Sequence, residues 1–212
     1  SVIAHALYKS ALFFLSGIVD HETGTRDLRR LGGLRQLMRF SMAIASLAAL
    51  SMAGLPPMFG FLAKETLLAT AVHPTLPGMI ASIFPIASVI AGALILAQAG
   101  LFVWDTFLGQ PRDKTIKPHE APWGMLIPPL IPASLSILLG LLPEPERFAA
   151  FVANAAGAAY GGEVKVSLAL WAGLTVPLLL SFIAVAFGIL IFIFRSRVRE
   201  IQKRIAPNLT IN

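Results

Sequence analysis

The sequence predicts an all-α integral membrane protein: a bundle of about five transmembrane helices, one of them discontinuous at Gly54–Pro57. Three observations point there. Of the 212 residues 56% are hydrophobic and 13% charged, with a mean hydropathy of +0.76, beyond what a soluble domain uses to fill one core. Apolar runs recur at the length of about 20 residues that a helix needs to cross hydrocarbon, and the two-residue alternation of a membrane β-barrel is absent. The basic residues behind the net charge of +6 fall in short stretches between those runs, which reads as membrane orientation and not as nucleic-acid binding.

The first apolar run covers about residues 1–19 and opens, as "SVIAHALYKSALFFLSG", already inside a helix. No basic leader or cleavage site precedes it, so the chain reads as a piece of something longer. The polar loop Asp20–Arg39 follows, where Thr25 is placed to cap a short helical turn ending at Gly32 and Gly33. Residues 40–72 are apolar except for Lys64 and Glu65, and are interrupted by Gly54, Pro56 and Pro57. A long run from Met79 to about Val103 carries Pro85, an expected kink. Near its end, Asp105 and Trp104 read as an interfacial anchor. After the loop "GQPRDKTIKPHEAPW", residues 124–142 hold Pro128, Pro129 and Pro132 and are expected to be irregular at their start. "PEPERFAAFVANAAGAAYGGEVK" reads as a less apolar connection. The last run, Val166–Phe194, stops at the basic tail "RSRVREIQKR".

The broken segment is either two crossings or one, and positive charge arbitrates. With one crossing, Arg26, Arg29, Arg30, Arg35, Arg39, Arg112, Lys114, Lys117, Arg195, Arg197, Arg199, Lys203 and Arg204 share a side, opposed only by Arg147 and Lys165. With two crossings the bias vanishes. One broken helix is therefore expected, with loops 20–39 and 109–122 and the C-terminal tail cytoplasmic. Residues 1–108, including the broken helix 40–72, form one unit, and 109–212 add further transmembrane helices and the tail.

Lys64 carries the strongest chemical signal. An ammonium inside an apolar run costs at least a few kcal/mol, so such residues face a bundle interior or a hydrated cavity. Desolvation disfavours its charged form, and a modest electrostatic change then suffices to load or release a proton. The break supplies a setting. Gly54 can end one half-helix, Pro56 and Pro57 can begin the next, and freed carbonyls can bind water or a cation. Irregular backbone at membrane depth is tolerated only where it is buried in protein or lines an aqueous cavity. The plainer alternative is a proline kink with a lysine snorkelling to the interface. Glu65, one residue on, cannot face the same way and is a secondary candidate whose role is otherwise packing. His5 and Lys9, at i and i+4, share a helix face and can form a two-step relay; a structural histidine is the alternative. Ser10 and Ser16 could hydrate the same helix. With no cysteine and four scattered histidines, no metal, redox centre or other cofactor is expected.

"HALYKSALFFLSGIVDHETGTRDLRRLGGL", followed after one helix by "GLPPMFGFLAKE", resembles the large antiporter-like subunit of Mrp multisubunit Na+/H+ antiporters. More broadly it resembles the antiporter-like subunits of respiratory complex I and membrane hydrogenases. The likeness is clearest from His5 to Lys64 and looser beyond, and "DHETGTRD" favours the Mrp branch. It implies part of an inverted-repeat fold, with Lys64 as the terminal lysine of the second repeat's broken helix and His5 and Lys9 in the chain feeding it. The first repeat, and a further histidine upstream of His5, would precede Ser1, leaving a half-channel in residues 1–108. The implied function is exchange of H+ for Na+ by part of a transporter, not an enzyme, in a cell membrane with other membrane subunits as partners. A proton-pumping subunit of a complex I-like NADH–quinone oxidoreductase or hydrogenase is the related alternative. A structural subunit whose polar residues only join helices is the unrelated one.

Overall fold

The computed structural model of the chain describes residues 1–72, 78–113, 115–116, 118–141, 145–163 and 173–205. Among them every regular element is helical: α1 (Val2–Thr23), a 3-10 turn (Leu34–Gln36), α2 (Arg39–Met52), α3 (Phe59–Ala71), α4 (Gly78–Val103), a π-turn (Trp104–Leu108), α5 (Trp123–Leu141), α6 (Pro145–Tyr160), α7 (Val176–Ile193) and α8 (Arg195–Ile205). Helices α1, α4, α5 and α7 are each long and apolar enough to cross a membrane. With 14 and 13 residues, α2 and α3 are each about 20 Å long at 1.5 Å per residue, short of the roughly 30 Å of hydrocarbon. Joined through the break, the two have between them the length that a fifth crossing needs.

Small residues bring the helices together, as expected where lipid offers no competing hydrophobic drive. Ala11, Leu15 and Ile18 of α1 pack with Ile44, Ala45 and Ala48 of α2, Leu126 and Ala133 of α5, and Phe107. Residues on both sides of position 108 thus share one core. Along α4 and α7, Gly188 sits against the Ala93 carbonyl and Gly100 beneath the Phe192 ring. Large side chains such as Phe13, Ile86, Leu138 and Phe182 stay exposed, the surface that hydrocarbon would solvate.

Several expectations change. Helix α1 runs past Val19 to Thr23, closed by Gly24 in the left-handed conformation. Between Thr25 and Gly32 a single turn forms, in which the Arg30 and Leu31 N–H groups donate to the Asp27 carbonyl at 2.9 and 3.2 Å, and no regular helix is built. Thr25 Oγ1 accepts from the Asp27 N–H at 3.2 Å and Asp27 Oδ1 from the Arg29 N–H at 2.9 Å, turns that compete with helix for the same donors. The 3-10 turn begins after Gly33 and does not end there. Helix α5 is continuous through Pro128, Pro129 and Pro132, tolerated in a helix packed against neighbours that re-satisfy freed backbone groups. The connection expected after residue 142 contains α6, whose run of alanines favours helix and whose Phe148 meets Phe59 of α3 edge-to-face at 5.3 Å. Of the run Val166–Phe194, residues 166–172 lie outside the described residues; α7 starts at Val176, capped by Thr175 Oγ1, which accepts from the Leu178 N–H at 3.4 Å. The tail forms α8. Pro85 lies within a continuous α4.

Candidate functional site at the broken helix

The first half-helix ends in a Schellman motif. Gly54 adopts φ +64°, its N–H donates to the Ser51 carbonyl at 3.0 Å, and the Leu55 N–H reaches back to Leu50 at 3.2 Å, the paired bonds of that cap. Two carbonyls at the break are thereby engaged, which narrows the expected set free to bind water or a cation. Pro56 and Pro57 do not begin α3. They form the turn from Leu55 to Met58, closed by a 3.0 Å bond from the Met58 N–H to the Leu55 carbonyl, and Met58 is the N-cap of α3. Lacking N–H groups, both prolines occupy the gap without an orphaned donor. Helix α5 braces the gap: a Cβ at Gly140 would collide with the Pro57 carbonyl, and Ser136 shares a 2.6 Å hydrogen bond with Ser51.

Lys64, half-buried in α3, folds its side chain back across this break. A Cβ placed on Gly54 would lie 3.0 Å from Lys64 Cδ and 3.3 Å from Nζ, so the glycine is what lets the amine lie there. A cavity of about 380 Å³ opens at the same place, lined by Gly54 and Lys64 together with His5, Tyr8 and Ser88. Its lining is mainly apolar, and Lys64, His5, Tyr8 and Ser88 are among the groups that can hold water in it. Lys64 and His5, from α3 and α1, thus border one space. His5 Nδ1 is 3.0 Å from the Tyr8 hydroxyl, a partner one turn along α1.

Lys9 is separate. It lines a second cavity of about 180 Å³ with Ser16, Gln98 and Met52. Spacing along α1 put His5 and Lys9 on one face, yet the packing of α2 against that face divides them between two spaces. Glu65 is half-buried, with Oε1 buried and, among the described residues, without a hydrogen-bond partner. Ser10 bonds the Leu7 carbonyl of its own helix. Sequence reasoning missed Tyr8, Ser88 and Gln98. Tyr8 was legible at i+3 from His5, whereas Ser88 and Gln98 were marked only by being polar within α4.

Asp105 was expected to anchor at the interface and is instead 3% exposed. It lies in the π-turn, where Oδ1 accepts from Arg112 at 2.7 Å and Oδ2 from Arg199 of α8 at 2.5 Å. Pairing with two guanidiniums offsets the cost of burying the carboxylate. Arg112 also donates to the Leu28 carbonyl, Arg30 bridges Asp113 at 2.7 Å, and Glu120 accepts from the Phe40 N–H at 2.6 Å, capping α2 from the loop after α4. The loop after α1, the loop after α4 and α8 therefore meet at one end of the bundle.

Residues 1–91 match the family model described as NADH:quinone oxidoreductase/Mrp antiporter, transmembrane. The chain is 33% identical over 224 residues to the Na(+)/H(+) antiporter A subunit of Bacillus subtilis, covering 100% of this chain and 28% of that protein. It is 36% identical over 198 residues to the probable K(+)/H(+) antiporter A/B subunit of Rhizobium meliloti, covering 92% of this chain and 20% of that one. Among solved structures, a chain of the Mrp complex from Dietzia sp. superposes with a TM-score of 0.82 at 31% identity, over 98% of this chain and 22% of that one. The chain thus spans between a fifth and a third of the length of these relatives. Residues 1–91 are thus similar to the NADH:quinone oxidoreductase/Mrp antiporter transmembrane family, and along its whole length the chain is similar in sequence and fold to a segment of Na(+)/H(+) antiporter A subunits and of a chain of an Mrp complex.

Proposed function

We propose that this chain is a proton-translocating half-channel of an Mrp-type cation/H+ antiporter, working within a larger polypeptide and beside other membrane subunits. Lys64 takes up and releases the proton, His5 exchanges it across their shared cavity, and Lys9 serves the adjoining one. The observation that carries this reading is the placement of the Lys64 amine on Gly54, at the helix break and in the cavity bordered by His5. An ionisable group at such depth, beside irregular backbone and space for water, is the arrangement that membrane transporters require. The transported ions are H+ and Na+. Since one similar protein is named for K+, both cations belong in the assay. The end of the bundle that gathers loops 20–39 and 109–122 and the tail is cytoplasmic, a reading supported by its concentration of arginines.

The names of the full-coverage relatives favour an antiporter over the proton-pumping oxidoreductase subunit that the family model also covers. The test is Lys64→Ala in the full-length protein, assembled in its complex and assayed in everted vesicles. The expected outcome is loss of Na+- and K+-dependent H+ exchange with normal assembly. Retained exchange would leave only a structural role for the lysine.

A further inference from the structure

His5 and Lys9 are one turn apart, but the two cavities keep them separate. His5, Tyr8 and Lys64 line the first and not the second; Lys9, Ser16 and Gln98 line the second and not the first. Met52 lines both. It is the last residue of α2, and its neighbours on that face divide in the same way, Ala49 toward the second cavity and Ala53 toward the first. Met52 is thus the residue that borders both cavities, with alanines beside it too short to reach between them.

The chemistry of that border matters for a proton. Protons pass between side chains through hydrogen-bonded groups or water, and a thioether is at best a weak acceptor. Hydrophobic constrictions close aqueous paths by dewetting and open them when a side chain moves aside. Methionine suits such a position, being unbranched with three rotatable bonds. The backbone beneath it is fixed by the Schellman bonds from Gly54 to Ser51 and Leu55 to Leu50. Movement at the border thus falls to the side chain.

We propose that Met52 is the movable partition between two chambers of the proton path: a Lys64–His5 chamber at the helix break and a Lys9–Gln98 chamber beyond it. Its side chain in place holds the chambers apart, and its rotation joins them through water. Gln98, with an amide that both donates and accepts, orders water on the Lys9 side. Met52 is a positioning residue. It carries no proton and sets when the carriers communicate. This rests on the reading of Lys64 and His5 as proton carriers.

The test uses the full-length protein in its assembled complex, in vesicles, with signals normalised to the amount of complex. Met52→Ala opens the partition. It is expected to raise the dissipation of an imposed pH gradient severalfold in the absence of Na+ and K+, and to lower cation-dependent exchange. Met52→Phe closes it, lowering exchange severalfold without any leak, and Met52→Leu, close in volume, stays near the wild-type level. Gln98→Leu dries the second chamber and lowers exchange without leak. A leak in the Ala variant and none in the Phe variant, with exchange lowered in both, is what a merely structural residue does not produce. If Lys64→Ala abolishes exchange while the Ala and Phe variants both show the wild-type leak, the partition is overturned and the carrier assignment stands. If Lys64→Ala leaves exchange intact, the carrier assignment falls and the partition falls with it.

Discussion

At Gly54 one missing Cβ meets two demands: a left-handed backbone, φ +64°, and an approach by Lys64 that would place Cδ 3.0 Å from any Cβ. Gly54→Ala is expected to destabilise the fold by about 1–2 kcal/mol, the cost of an L-residue in the left-handed region, and to push the amine off the break. A lower melting temperature of the solubilised complex together with slower exchange is the expected result. An unchanged melting temperature contradicts this packing. Lys64 itself was legible in the sequence because a charge among apolar residues is costly enough to need a reason. The division of His5 from Lys9 was not, since it depends on where α2 lies against α1. Asp113, outside the membrane-spanning helices, is held well below the usual carboxylate range, at about 2, by the Thr115 hydroxyl and then by Arg30. Its folded value lies below the ordinary value of about 3.9, so its contribution is complete above that value and fades as pH falls toward the folded value. Cleavage of the loop after α4 by an acid-active protease is expected to increase from about pH 4 to about pH 2. Asp113→Asn should remove that increase; its persistence in the variant would show that another group titrates there.

The end of α4 shows the same logic in a whole element. Its π-turn buries Asp105 between Arg112 and Arg199, tying α4 to the next loop and to α8. Asp105→Asn keeps the shape and removes the charge, with an expected loss on the order of 1–3 kcal/mol for hydrogen bonds to a charged group. The lower part of that range applies, because both arginines are more than one-third exposed and can recover water. Faster tryptic cleavage within α8 is the measurement; unaltered cleavage would mean that α8 is held by other contacts, such as Arg195 over the Trp104 ring at 5.2 Å. Length and apolarity were enough to read α1, the broken pair α2–α3, α4 and α7 from the sequence. Helix α6 was missed because its apolar part, Phe148–Tyr160, is shorter than a crossing and built largely from alanine. The three prolines of α5 suggested irregularity because local sequence does not reveal the neighbours that support a helix lacking donors.

Across the molecule, the three polar segments rich in arginine meet at one end through Arg30–Asp113, Arg112–Asp105 and Arg199–Asp105. That meeting requires an even number of crossings between loop 20–39 and loop 109–122, which holds when α2 and α3 count as one and fails when they count as two. The distribution of charge along the sequence therefore contained the topology of the break before any contact was known. It did not contain the cavities, which arise where α1, α2, α3 and α4 close around residues distant in sequence. The most direct measurement is a high-resolution map of the assembled complex around residues 53–64. The account predicts Lys64 Nζ lying over Gly54 at an interrupted helix, with ordered water linking it to His5. An amine extended to the lipid headgroups, or an unbroken helix through this stretch, would contradict it.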